Sequence, residues 1–339
     1  MNCKKTLFIV SASLCLISGS VYADFMSFFK AGRTAASQKQ YDAALKNYLE
    51  AEKQTTVPGQ RFQALWAAAD IYQLKGDWKN AEDALARILA DKTIPDQNRM
   101  SAQIRLGDYK LHQKKGEEAV AEYQKSASYG IENDTFHYAL LSCGNLLLKQ
   151  KKYADAEKCF RSLIDGPQVN LSRKVRAQIG LGNLFLQQKK YADAEKCFRS
   201  LVDDPQIDPL LKVRAQVGMG NALFSLGKYQ EAVTTLKGIA ENSKVQNVLR
   251  AEALTIVARS YYKMKAYKEA YEINMAILAL NNIPVYLTAT AYMQSISIQQ
   301  SVFKDFAQAK KLLDDFEKMP GLKAAHQNWI KTQRAKIKK

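Results

Sequence analysis

Lys151–Leu163 reads KKYADAEKCFRSL, and Lys189–Leu201 reads KKYADAEKCFRSL again without a change. A thirteen-residue copy displaced by 38 residues marks a repeat array, so the chain has to be read unit by unit. The register of Tyr153 and Tyr191 extends outward to comparable anchors at Tyr41, Trp78, Gly116, Tyr229, Tyr267 and Phe306, spaced 37 to 39 residues apart, which makes eight units.

Three residues after each anchor stands alanine: Ala44, Ala81, Ala119, Ala156, Ala194, Ala232, Ala270 and Ala309. A close crossing of two helices explains this, because a larger side chain there would overpack the crossing at roughly 1–3 kcal/mol. Nine residues before the anchor stands a small partner: Gly32, Ala69, Gly107, Gly144, Gly182, Gly220, Ala258 or Ser297. Glycine weakens a helix, so its recurrence points to packing.

Lys174 to Asp204 serves as the type unit. Val175, Ile179, Gly182 and Leu186, flanked by Leu181 and Phe185, recur at helical spacing. Gln187-Gln188-Lys189-Lys190 is a short polar turn, and Ala194, Phe198 and Leu201 form a second apolar stripe. The unit is helix, turn, helix. Pro205 and Pro209 then interrupt the pattern, as do Pro95, Pro167 and Pro284 elsewhere, because proline lacks the amide donor that a helix interior uses. No segment alternates apolar and polar residues for long, so no strands are expected.

The N-terminus places Lys4 and Lys5 before an apolar stretch from Leu7 to Ile17 and then Val21-Tyr22-Ala23. This order predicts a signal peptide over residues 1–23, cleaved after Ala23, and a periplasmic or secreted chain. Leu14 occupies the place of the small residue that precedes a lipidated cysteine, which argues against lipidation at Cys15. The remaining 339 − 23 = 316 residues are filled by the repeats, with no room for a separate catalytic domain. Loss of Lys4 and Lys5 takes the net charge from +17 to +15. Export makes nucleic acid an unsuitable partner, and the excess positive charge suits an acidic protein, an anionic envelope polymer or a membrane surface. A merely solvated lysine-rich face is the competing reading.

The order Leu181-Gly182, Phe185, Tyr191, Ala194 and Phe198 resembles the tetratricopeptide repeat. The resemblance covers about residues 25 to 320 and is most specific where Gly144, Ala156 and Phe160, and then Gly220, Tyr229, Ala232 and Leu236, repeat it. Asn274 departs from it in the place of a second-helix aromatic, and the period of about 38 departs from the family's usual 34. The four extra residues are expected to lengthen the connection between units, or a helix, by a turn. The resemblance implies an all-α fold: a right-handed superhelical solenoid of about eight helix-turn-helix repeats over 24–320, with a concave groove lined by the first helices. Residues 321–339, with Ala325, Trp329 and Ile330 among six basic residues, read as a basic C-terminal capping helix.

His112, His137 and His326 lie far apart, and no Cys-x-x-Cys occurs, so no metal site, cofactor or catalytic residue is expected. Gly180-x-Gly182 and Gly218-x-Gly220 lack the third glycine and the preceding strand of a nucleotide loop. Cys143, Cys159 and Cys197 are an odd number without a disulfide framework. Cys143 and Cys159 would meet only if their helices turn them toward each other, and small buried apolar residues are the simpler reading.

The candidate site is a surface. Asn145, Asn183 and Asn221 follow the packing glycine in three successive units, a position that in the resembled family faces the groove. A carboxamide can both donate to and accept from a peptide backbone. Arg176 and Arg214 lie seven residues earlier, two helical turns back on the same face, and Gly180 and Gly218 between them are expected to clear space for a ligand. Leu148, Leu186 and Phe224 are expected to line the same groove as apolar contacts, with packing against the neighbouring unit as the alternative. Recent duplication alone would also account for the repeated asparagines. The reading that follows is a non-enzymatic protein-protein interaction scaffold of the bacterial cell envelope, binding a peptide or protein, acidic in character, in its groove. The alternative is a structural envelope component held electrostatically on anionic polymers or membrane surfaces.

Overall fold

A computed structural model describes residues 24–337; the expected signal peptide lies outside the described residues. All regular structure among the described residues is helical, and the helices follow in pairs. They are α1 (24–37) and α2 (Tyr41–Lys53), α3 (Pro58–Leu74) and α4 (Trp78–Ala90), α5 (Asp96–His112) and α6 (Gly116–Ser126). Next come α7 (Asp134–Lys149) and α8 (Tyr153–Asp165), α9 (Leu171–Gln187) and α10 (Tyr191–Asp203), α11 (Pro209–Ser225) and α12 (Tyr229–Glu241). The last are α13 (Asn247–Lys263) and α14 (Tyr267–Leu278), α15 (Val285–Ile298) and α16 (Phe306–Glu317), and α17 (Ala324–Ile337). Every anchor is the first residue of the second helix of its pair, and the alanine three residues on is fully buried in each.

The period divides cleanly in the type unit: α9 has 17 residues, α10 has 13, and the turn 188–190 and the connection 204–208 supply the rest of the 38. The turn has one hydrogen-bond geometry in the first seven pairs, and the last pair shares its left-handed residue. Two residues before each anchor the backbone is left-handed, at Lys39, Gly76, Lys114, Lys151, Lys189, Gly227, Lys265 and Lys304. At Lys189 the amide of Lys190 donates to the Phe185 carbonyl (2.8 Å) and the Lys189 amide to that of Leu186 (3.1 Å). This closes the helix end in the Schellman manner and satisfies carbonyls that the helix leaves open. The connection is not a passive linker: Ile207 within it is buried, as are Ile94 and Val169 at the equivalent positions.

Contacts divide the chain into two compact units. The first runs to Cys159 and includes Gly166–Val169; its core gathers Leu65, Leu85, Ile88, Ile94 and Tyr109 from α3 to α5. The second holds Phe160–Asp165 and the chain from Asn170 onward. There the ring of Phe198 in α10 lies between Gly182 of its own pair and Gly218 of the next; a Cβ would stand 2.6 and 2.4 Å from Phe198 Cζ, inside contact distance. Phe160 meets Gly180 in the same way, at 2.6 Å. Gly180 and Gly218 therefore make room for core rings.

The last pair departs from the register set by the sequence. Between α15 and α16 a π turn, Gln299–Phe303, adds a residue. Counted from the preceding anchor, the crossing position is Ile296, which is fully buried, whereas Ser297 is only half-buried. Asn274, 1% exposed, occupies the place of the missing aromatic and donates through Nδ2 to Gln294 Oε1 at 2.9 Å. α17 lies within the segment read as the cap: Ile330 is buried, Trp329 meets Phe316 edge-on at 6.3 Å, and Arg334 bridges Asp314 and Glu317 at 2.6 Å each. No described helix is long and apolar enough to cross a membrane.

Candidate functional site

In the second unit the first helices of successive pairs, α9, α11, α13 and α15, line an open cavity of about 490 Å³. Asn183 enters it from α9, Arg214 and Asn221 from α11, Glu252 and Arg259 from α13, and Tyr286 from α15. The sequence sets this up locally. Asp208 caps α11, its Oδ1 accepting from the amides of Leu210 (2.9 Å) and Leu211 (3.2 Å), and Pro209 opens the helix with its φ already suited to it. That fixes where α11 starts, and Arg214 and Asn221, seven residues apart, then fall on one face two turns from each other.

The charges differ from pair to pair at fixed positions. Thirty-eight residues after Arg214 stands Glu252, and 38 after Asn221 stands Arg259. Burial pushes the Glu252 carboxyl above the usual carboxylate range, opposed by the Tyr286 hydroxyl, which donates to Oε1 at 3.4 Å, and by the positive field of Arg214. The Arg259 guanidinium lies over the Phe224 ring, 4.2 Å from its centre, and loss of hydration there lowers its pKa. Arginine nonetheless remains charged. In the first unit, two residues at the asparagine position are engaged. Asp70 pairs with Arg105 at 3.1 Å, and Asp108 accepts from the hydroxyls of Tyr123 (2.6 Å) and Tyr138 (3.0 Å).

The structure thus brings Asn183, Arg214 and Asn221 to one cavity. Arg176 is exposed on α9 but does not border it, and Asn145 is exposed on α7 in the first unit. Leu148 corrects the expectation of an apolar groove wall: it is 6% exposed. A residue three positions after Asn145 is rotated about 60° around the helix from it, and there the neighbours of Leu148 bury it. Leu186 and Phe224, in the same relation to Asn183 and Asn221, are half-buried against the core of their unit. Glu252, Arg259 and Tyr286 were missed. For the first two the signal was the period itself, since adding 38 to Arg214 and Asn221 reaches them.

Cys143 and Cys159 do face each other across α7 and α8, and their shared hydrogen bond, with burial, raises the Cys143 thiol. His112 stacks on Trp78 at 5.9 Å, and His137 is buried. Among the described residues no group of three His, Cys, Asp or Glu is placed to hold a metal.

The family model for the tetratricopeptide repeat matches residues 22–98 and 143–209. Together with the consecutive helix pairs, this match supports a tetratricopeptide-repeat protein and shows a fold of that kind. A tetratricopeptide repeat protein from Parabacteroides merdae ATCC 43184 matches with a TM-score of 0.60 at 19% identity, over 81% of this chain and 99% of that one. The apo form of RapI matches with 0.60 at 14% identity, over 93% and 98%. The apo form of the quorum sensor NprR from B. thuringiensis gives 0.52 at 16% identity, over 88% and 87%. At these identities the likeness is one of fold. No curated protein sequence matches the chain. The fold is in general a non-enzymatic interaction scaffold, stacked pairs presenting extended surfaces to protein partners.

Proposed function

We propose that this chain is a non-enzymatic scaffold of the bacterial cell envelope that holds a peptide or protein segment, acidic in character, on the first helices of its second unit. The observation that carries the reading is the cavity in which Arg214 stands with the carboxamides of Asn183 and Asn221. The carboxamides suit a peptide backbone and the guanidinium suits a carboxylate. The test is capture from an envelope extract on the immobilised chain from Asp24, followed by titration of the captured partner against wild type and the Arg214→Ala, Asn221→Ala double variant at fixed salt. Charge-assisted contacts are worth about 1.5–3 kcal/mol, so affinity should fall at least tenfold. Unchanged affinity with intact helicity would overturn the reading.

The exposed lysines at the left-handed turns, Lys39, Lys114, Lys151, Lys189, Lys265 and Lys304, favour a second reading, attachment to anionic polymers or membrane surfaces. Salt separates the two, because attachment by exposed charge weakens sharply as ionic strength rises, while a partner seated in the cavity is less affected.

A further inference from the structure

Three charged groups of the cavity are left without an ion partner. Among the described residues neither Arg214, Glu252 nor Arg259 forms an ion pair, although both signs line one space. The fold keeps them apart. Glu252 and Arg259 are seven residues apart on α13, about 10 Å along the axis. The Phe224 ring holds the Arg259 guanidinium, and the Tyr286 hydroxyl holds the Glu252 carboxyl. The first unit shows the alternative outcome, with Asp70 and Arg105 closed on each other at 3.1 Å. Arg214 and Arg259 reach solvent, whereas the half-buried Glu252 carboxylate has lost hydration and gained only the Tyr286 hydroxyl, which is unfavourable; a ligand that brings a cation to Glu252 relieves this. An anion alone would meet Glu252 as a like charge. A cation alone would face two arginines.

We propose that the cavity takes a peptide segment carrying both a cationic side chain, seated on Glu252, and a carboxylate, facing Arg214 and Arg259. This rests on the groove-binding reading and refines its acidic partner into one of mixed charge. An extended peptide advances about 3.3 Å per residue, so charges held about 10 Å apart along the helix call for a cation and an acid two or three residues apart. Asn183 and Asn221 then serve the backbone between them.

The test is affinity capture from a synthetic random hexapeptide mixture, N-acetylated and C-amidated so that side chains carry all the charge. The chain from Asp24 is used as wild type, Glu252→Gln and Arg259→Gln, and captured peptides are sequenced by mass spectrometry. Wild type should enrich Lys or Arg two or three residues from Asp or Glu. Glu252→Gln should lose the cation preference while keeping the acid, and should bind a selected wild-type peptide at least tenfold more weakly. Arg259→Gln should weaken the acid preference instead. Because Glu252→Gln removes a half-buried charge, its melting temperature should not fall, which separates lost binding from lost fold. Acid-rich peptides without a spaced cation, or the same selection by Glu252→Gln, would overturn the mixed-charge proposal and leave groove binding standing. No enrichment over bare support would overturn both.

Discussion

Asn274 hydrogen-bonds Gln294 at 2.9 Å, 76 residues beyond the contact of Phe198 with Gly218. Two periods later, an amide pair fills the space that an aromatic ring fills against glycine. The pair is self-contained, each member the other's partner. Removing Asn274, as in Asn274→Ala, leaves the half-buried Gln294 amide without its partner and should cost about 0.5–1.5 kcal/mol. Replacing both by apolar residues, Asn274→Leu with Gln294→Ala, should be nearly neutral. A double-mutant cycle by urea unfolding measures this; additive losses would show that the two amides do not act as a pair.

Two helical glycines should respond oppositely to alanine. Gly218→Ala drives a methyl into Phe198, 2.4 Å from its Cζ, and should lower stability by roughly 1–3 kcal/mol. Gly238, exposed in α12, has nothing within 4 Å of its would-be Cβ, so Gly238→Ala should raise stability by about 0.5–1 kcal/mol. Thermal melts of the two variants check both signs.

Lys189 sits at φ 61°, where glycine is the easier residue. Lys189→Gly should be neutral to stabilising, by up to about 1 kcal/mol. Gly227→Ala, at φ 79° in the equivalent turn, should be destabilising. Denaturant midpoints of the pair distinguish backbone strain from any role of the lysine charge.

Glu252 gives a pH dependence whose sign can be worked out. Burial raises its pKa in the folded chain above that in the unfolded chain, so between the two values the folded chain binds the proton more tightly than the unfolded one. Stability from this group is therefore greatest at low pH and declines as pH rises from the unfolded to the folded pKa. Glu252→Gln should remove that decline. The difference in midpoint between variant and wild type, followed from pH 4 upward, should grow in the variant's favour and then level off.

How much could be read from the chain depended on whether a constraint stayed with a residue type. Ala194 and its equivalents were legible because a close crossing admits little else. Ser297 was misplaced because the extra residue lies in Gln299–Phe303, where no proline or glycine announces a break. Ile207 sits in the polar-looking connection DPQID and is nevertheless buried. At Glu252 and Arg259 the helical position persisted while the residue type changed, so following asparagines led past them. Leu148 is buried although Leu186 and Phe224, at the same angle from their asparagines, are half-buried, so its burial follows from its own neighbours and not from its place in the repeat.

α8 and α10 are the same helix twice over, differing only in Ile164 against Val202. Each is entered through a left-handed lysine, at Lys151 and Lys189. Joining Lys151 directly to Lys190 would hand α7 a partner helix with the same anchor, alanine and aromatic that it has now, and would shorten the chain by one period. The duplicated string is thus a ready splice point. At such a point recombination can add or remove a helix pair, changing the length of the array in whole steps without asking any local backbone to adopt a new conformation.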